Sequence, residues 1–158
     1  MPTEYTVVFD ITQHTGRDLW FVGFGVLFMV IGAVAIVRTR GRPERSVRVA
    51  SFGIFGFATL WTIGAGVGVL GGARRLAADL QAGRCSVVEG TVANFTPMPA
   101  NGKGRESFDV NGVPFYYSEY EITPGFRQTA HEGGPIHDGL RVRIHYEGND
   151  IALLEVGR

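Results

Sequence analysis

The densest collection of chemically capable side chains lies in "AHEGGPIHDG", residues 130–139, which holds His131, Glu132, His137 and Asp138. Imidazole and carboxylate groups suit zinc, so His131 and His137 are the candidate metal ligands. The stretch does not form an H-E-x-x-H pattern, and Gly133, Gly134 and Pro135 deny it a fixed helical spacing. Those three residues are better suited to backbone turns. The expectation is a structured loop with solvated polar side chains, holding no metal and no cofactor. Cys85 is the single cysteine, which excludes an internal disulfide. Ser, Asp and His all occur, but no G-x-S-x-G elbow frames a nucleophile. The chain therefore reads as a non-enzyme, and a hydrolase using His131 or His137 is the weakest of three functional readings.

Charge concentrates elsewhere. "RTRGRPERSVR", 38–48, puts Arg38, Arg40, Arg42, Arg45 and Arg48 into eleven positions. It is flanked by "LWFVGFGVLFMVIGAVAIV" (19–37) and the run at 49–73, uncharged for nineteen and twenty-five residues. About 20 apolar residues span a bilayer as a helix, so both runs read as transmembrane helices. A cleaved signal peptide is not expected, because the first sixteen residues carry Glu4 and Asp10 and no Lys or Arg. Basic residues near helix ends favour the cytoplasmic side. The 38–48 loop is thus expected in the cytoplasm against anionic headgroups, with both termini outside a bacterial inner membrane.

The second span is rich in glycine. At 100° per residue, Gly53, Gly56, Gly64, Gly68 and Gly71 fall within about 60° either side of one line. Gly64, Gly68 and Gly72 are also spaced as G-x-x-x-G. The first span offers Gly25 and Gly32, seven apart. Small residues allow close helix approach in lipid. These seven glycines are expected to form a helix-packing interface, either between the two spans or, for the longer stripe, with a second protein or copy. Neither span contains Asp, Glu, Lys or His, which argues against a pump or transporter.

The helix is expected to run on through "ARRLAADLQ" to about 82, with Gly83 as its C-cap and Leu76 and Leu80 facing the domain beyond. From Ser86 the pattern turns to strands. "SVVEGTVANF" is strand-like, with a bulge or bend expected at Gly90. "ESFDV-NG-VPFYYSEY" reads as a hairpin with a type I′ turn. After the long connection 123–139, "LRVRIHY-EGND-IALLEV" reads as a second hairpin, with Leu140, Val142, Ile144 and Tyr146 on one face.

Five short strands in so small a domain leave open edges unless they close. The expected fold is therefore membrane α+β: a two-helix transmembrane hairpin followed by a small five-stranded OB/SH3-like β-barrel. Its parts are an extramembrane segment 1–18, helices at 19–37 and 49–82, the loop 38–48 and the barrel 86–158. "EYTVVFDIT" (4–12) alternates like a strand, with Tyr5, Val7, Phe9 and Ile11 on one face, and could pair with the barrel edge.

Two helices followed by a β-domain with "EGTV" and "FDVNGVPFYYS" resemble uncharacterised bacterial two-helix membrane proteins, and are similar in plan to NfeD-like, OB-like proteins. That resemblance implies an accessory or scaffold role and no known chemistry. OB folds can bind oligonucleotides, and Tyr116, Tyr117, Tyr120 and Phe126 could stack bases. Residues 86–158, however, carry six Lys/Arg against ten acids, whereas phosphate binding needs basic groups. Nucleic acid is not an expected partner. The expected partners are the bilayer and other membrane subunits or a second copy. A membrane-anchored sensor or ligand/metal-binding module using the 123–139 loop is the alternative.

Overall fold

The computed structural model describes residues 4–14, 19–39, 45–99 and 104–157. The chain begins with strand β1 (Tyr5–Asp10) and the single-turn helix α1 (Ile11–His14). Asp10 nucleates that turn: its Oδ1 accepts from the Thr12 amide at 2.8 Å and the Thr12 hydroxyl at 2.7 Å. Two long helices follow, α2 (Leu19–Thr39) and α3 (Arg45–Gln81). Among the described residues one helix, α3, is long and apolar enough to cross a membrane; the described apolar part of α2, Gly23–Thr39, is shorter. The helices also reach further into the arginine cluster than their apolar runs do. Arg38 lies in α2, and Arg45 and Arg48 lie in α3. Arg40 and Arg42 lie outside the described residues.

α3 ends where its chemistry predicts. Gly83 takes φ +67°, its amide donates to Leu80 at 3.1 Å, and the Arg84 amide donates to Asp79 at 2.8 Å. This is the paired closure of a helix end by a left-handed glycine.

The remaining strands are β2 (Ser86–Thr96), β3 (Glu106–Val110), β4 (Val113–Tyr117), β5 (Arg141–Glu147) and β6 (Asp150–Gly157). Asn111 and Gly112, with φ 50° and 82°, make the β3–β4 turn, the two positive φ values that a type I′ turn requires. β5 turns into β6 through Gly148 (φ 62°) and Asn149.

The expected closed five-stranded barrel is replaced by an open, antiparallel six-stranded sheet in the order β1-β6-β5-β2-β3-β4. β1 supplies the sixth strand by pairing with β6, Tyr5 opposite Gly157. The sheet does not need to close because segment 118–139 covers its inner side. Phe126 and Ile136 from that segment are buried with Phe108, Val110, Phe115, Val142, Ile144 and Leu154. The Phe126 amide donates to Ile151 at 2.9 Å. Val142 and Ile144 are fully buried, and Leu140 and Tyr146 pack against the same core, as their alternation implies.

The β2 irregularity also falls elsewhere than expected. Gly90 remains in regular register opposite Val142, and the shift occurs between Ala93 and Thr96, where Asn94 has φ 54°. Gly90 serves close approach instead: a Cβ there would stand 3.2 Å from Val110 Cγ1.

The chain divides into two units: the segment to Thr15 with Gly72–Arg158, and Gly16–Gly71. In the first, Ala73 and Leu76 from the end of α3 are buried with Ile11 and Ala152, and Leu80 packs against them. Ala152 sits at the register shift between β5 and β6 and is fully buried.

Candidate functional site

Within the helical unit the glycines divide into two groups. A Cβ at Gly32 would stand 3.0 Å from the Phe55 Cα, and one at Gly25 would collide with the Thr62 hydroxyl. Moving seven residues forward on α2 thus moves seven back on α3, as antiparallel helices require. The hydroxyls along this seam bond within their own helices: Thr62 to Ala58 O at 2.6 Å, Thr59 to Phe55 O at 2.8 Å and Thr39 to Ala35 O at 2.8 Å. These hydroxyls therefore find acceptors without a bond across the seam.

Gly53, Gly56, Gly64, Gly68 and Gly71 have no heavy atom within 4 Å of an added Cβ. At 100° per residue their line lies about 180° from Phe55 and Thr62. The α3 glycine stripe therefore faces away from α2, and among the seven candidate glycines Gly25 and Gly32 are the two that meet the other helix. Beside the stripe an apolar groove of about 780 Å³ runs between walls of Phe24 and Phe28 on α2 and Phe57 and Trp61 on α3. Gly25, Gly53 and Ala58 also line it.

In the sheet unit, the histidine-bearing segment is built as a scaffold. Its 3₁₀ turn, Ala130–Glu132, is anchored by Glu106, a fully buried carboxylate on β3. Glu106 accepts from the Tyr117 hydroxyl at 2.6 Å and from the Ala130 amide at 2.9 Å. Burial and then this carboxylate push the Tyr117 phenol far above its ordinary value. Thr129, also fully buried, donates to Glu119 at 2.8 Å and accepts from the Glu132 and Gly134 amides. The Thr129 hydroxyl is the main reason the Glu119 carboxyl titrates below its ordinary value. Gly133 has φ 79°, and a Cβ at Gly134 would come within 2.8 Å of Thr129 O. The glycines in "HEGGP" are thus required by the turn.

His131 is 71 % exposed and 3.9 Å from Glu119, whereas His137 contacts the Asp138 carbonyl at 2.9 Å. Asp138 accepts from the Phe95 amide at 2.9 Å, which steadies the irregular end of β2. Among the described residues no group of three His, Cys, Asp or Glu side chains converges as a metal site. Cys85 is half-buried beside the α3 terminus, and burial, then Asp79 and Glu147, push its thiol up.

Two features escaped the sequence reading. Glu106 alternates with Phe108 and Val110 on the buried face of β3, and that period-2 register was the available signal. On the opposite sheet face, Glu89 on β2 accepts from the Tyr5 hydroxyl at 2.7 Å and from Arg143 at 3.0 Å. The Arg143 guanidinium lies 4.2 Å from the Tyr5 ring centroid. These contacts tie β1 to the sheet. Tyr5 and Arg143 hold the Glu89 carboxyl below its ordinary value.

Fold and site define an α+β protein with a long apolar helix and an open antiparallel sheet. No family model, curated protein or solved structure matches the chain.

Proposed function

We propose that this chain is a non-enzymatic accessory or scaffold subunit of a bacterial inner-membrane assembly. In this reading α2 and α3 form a transmembrane hairpin, the arginine-rich connection is cytoplasmic, and the sheet domain contacts partners on the extracytoplasmic side. The observation that carries the reading is the α3 glycine stripe, which is turned away from α2 and has open space above every position. In lipid, close van der Waals approach at small residues is a main source of helix association. A stripe that its own hairpin partner does not use is suited to another subunit.

The test is extraction at native expression in mild detergent, followed by measurement of mass and composition. A stoichiometric larger complex that is lost on Gly64→Ile/Gly68→Ile is the expected result. A lone chain in mild detergent overturns the reading. Orientation is read separately by labelling Cys85 in spheroplasts with a membrane-impermeant maleimide. Labelling without lysis supports an extracytoplasmic domain, and a requirement for lysis inverts it.

A further inference from the structure

The turn between β4 and the buried Phe126 presents its apolar side chains outward. Tyr120 is 66 % exposed and Ile122 48 % exposed, although the backbone between them is firmly held. The Glu121 amide donates to Ser118 O at 3.3 Å and the Thr123 amide to Glu121 O at 3.1 Å. Arg127 Nη1 donates to the same carbonyl at 2.8 Å, and Arg105 Nε donates to the Glu121 carboxylate at 2.7 Å. Surface turns ordinarily carry small polar residues. Here a pinned turn holds an aromatic and a β-branched side chain away from the core.

The turn lies beside the end of α3. Two residues beyond Ile122, Pro124 lies against α3: a Cβ at Gly72 would stand 3.7 Å from Pro124 Cγ. On its other side the chain is clamped to β6, since a Cβ at Gly125 would come within 2.7 Å of the Ile151 amide. Gly72 is the last residue but one of the uncharged run 49–73, and Arg74 and Arg75 follow it. If α3 spans the membrane, that change from apolar to basic sequence marks the bilayer surface, the level at which tyrosine is enriched. Pro124, at the end of the turn, meets α3 at that boundary.

We infer that the 120–124 turn is a membrane-interface anchor, with Tyr120 and Ile122 inserted at the lipid headgroup boundary of the bilayer that α3 enters. The inference rests on the transmembrane reading of α3 and adds a second contact of the sheet domain with lipid. Arg105 and Arg127 hold the turn from the domain side. A peripheral anchor of this kind fixes the domain against the surface, beyond the tether that α3 provides.

The test uses full-length protein, one copy per lipid nanodisc, on a Cys85→Ser background. An environment-sensitive fluorophore is placed by Ile122→Cys, and in a parallel variant by Tyr120→Cys. Comparison probes are Asn111→Cys, at the far end of β4, and Leu60→Cys on α3. The expected result is blue-shifted emission at 120 and 122, strong quenching by brominated lipid, and several-fold weaker iodide quenching than at 111. Iodide access at both turn positions equal to that at 111 overturns the inference. Shielding from iodide without lipid quenching also overturns it, because protein would then cover the turn. Lipid quenching at 60 without quenching at the turn defeats the anchor alone. Absence of lipid quenching at 60 defeats the transmembrane reading and the anchor together.

Discussion

The Asn149 side chain holds the backbone of Tyr116 at both ends of one residue: its Oδ1 accepts from the amide at 3.0 Å and its Nδ2 donates to the carbonyl at 2.5 Å. Asn149 stands in the β5–β6 turn and Tyr116 on β4, so a side-chain amide takes the place of a strand at the free edge of the sheet. An unpaired edge is an invitation to association, and this contact blunts it. Asn149→Ala should destabilise the domain by about 1–2 kcal/mol, the net value of two partly exposed hydrogen bonds. Denaturant unfolding measures the loss, and amide exchange at Tyr116 should accelerate more than at Val142.

Glu106 offers a sharper contrast. Glu106→Ala leaves the Tyr117 hydroxyl and the Ala130 amide buried without an acceptor, at about 1–3 kcal/mol for each donor. Glu106→Gln keeps one oxygen acceptor, enough for one of the two donors, and should cost less than the alanine. Equal losses in thermal unfolding would show that the carboxylate does not anchor the 130–132 turn.

Glycine substitutions should separate the positions where α2 meets α3 from the open stripe on α3. Gly32→Ile drives a side chain into the Phe55 backbone at 3.0 Å and should destabilise the helix pair by about 1–3 kcal/mol. Gly64→Ile meets open space and should leave the detergent-solubilised chain as stable as the parent. Thermal melts monitored by helical circular dichroism compare them directly.

The β1 attachment should be sensitive to acid. Glu89 titrates below the ordinary 4.5 because the Tyr5 hydroxyl and Arg143 favour its charged form. A depressed folded value means that the contact stabilises fully above about pH 4.5 and is lost as the pH falls through the lower folded value. Exchange protection of the β1 amides should therefore drop below pH 4.5. Glu89→Gln should remove that acid dependence and leave protection low throughout.

Much of the local structure was legible in the residues themselves. Asn111-Gly112 specifies its turn because few other residues tolerate two successive positive φ values, and Gly83 specifies the end of α3 for the same reason. Alternation at 140–146 identifies a strand because side chains change face at every residue. The 5–11 alternation is broken by a register shift between Val7 and Phe9, which leaves Val7 exposed, and Ile11 begins α1. The candidate site was less legible. "HEGGP" shows that a turn exists there, but not that Glu106, some 24 residues earlier, holds it.

By itself, the sequence determined the kinds of element and their order. It specified long apolar helices, an arginine cluster between their apolar runs, a strand-rich domain and an alternating N-terminal segment. These follow from composition and periodicity, which act over a few residues. Tertiary structure alone decided that β1 joins β6, that segment 118–139 covers the core in place of barrel closure, and that the sheet stays open. It also decided that the α3 glycines turn away from α2 while Gly25 and Gly32 meet Thr62 and Phe55. Each of these depends on which distant surfaces bury one another. Small residues mark a face capable of close approach, but only packing determines which neighbour fills it.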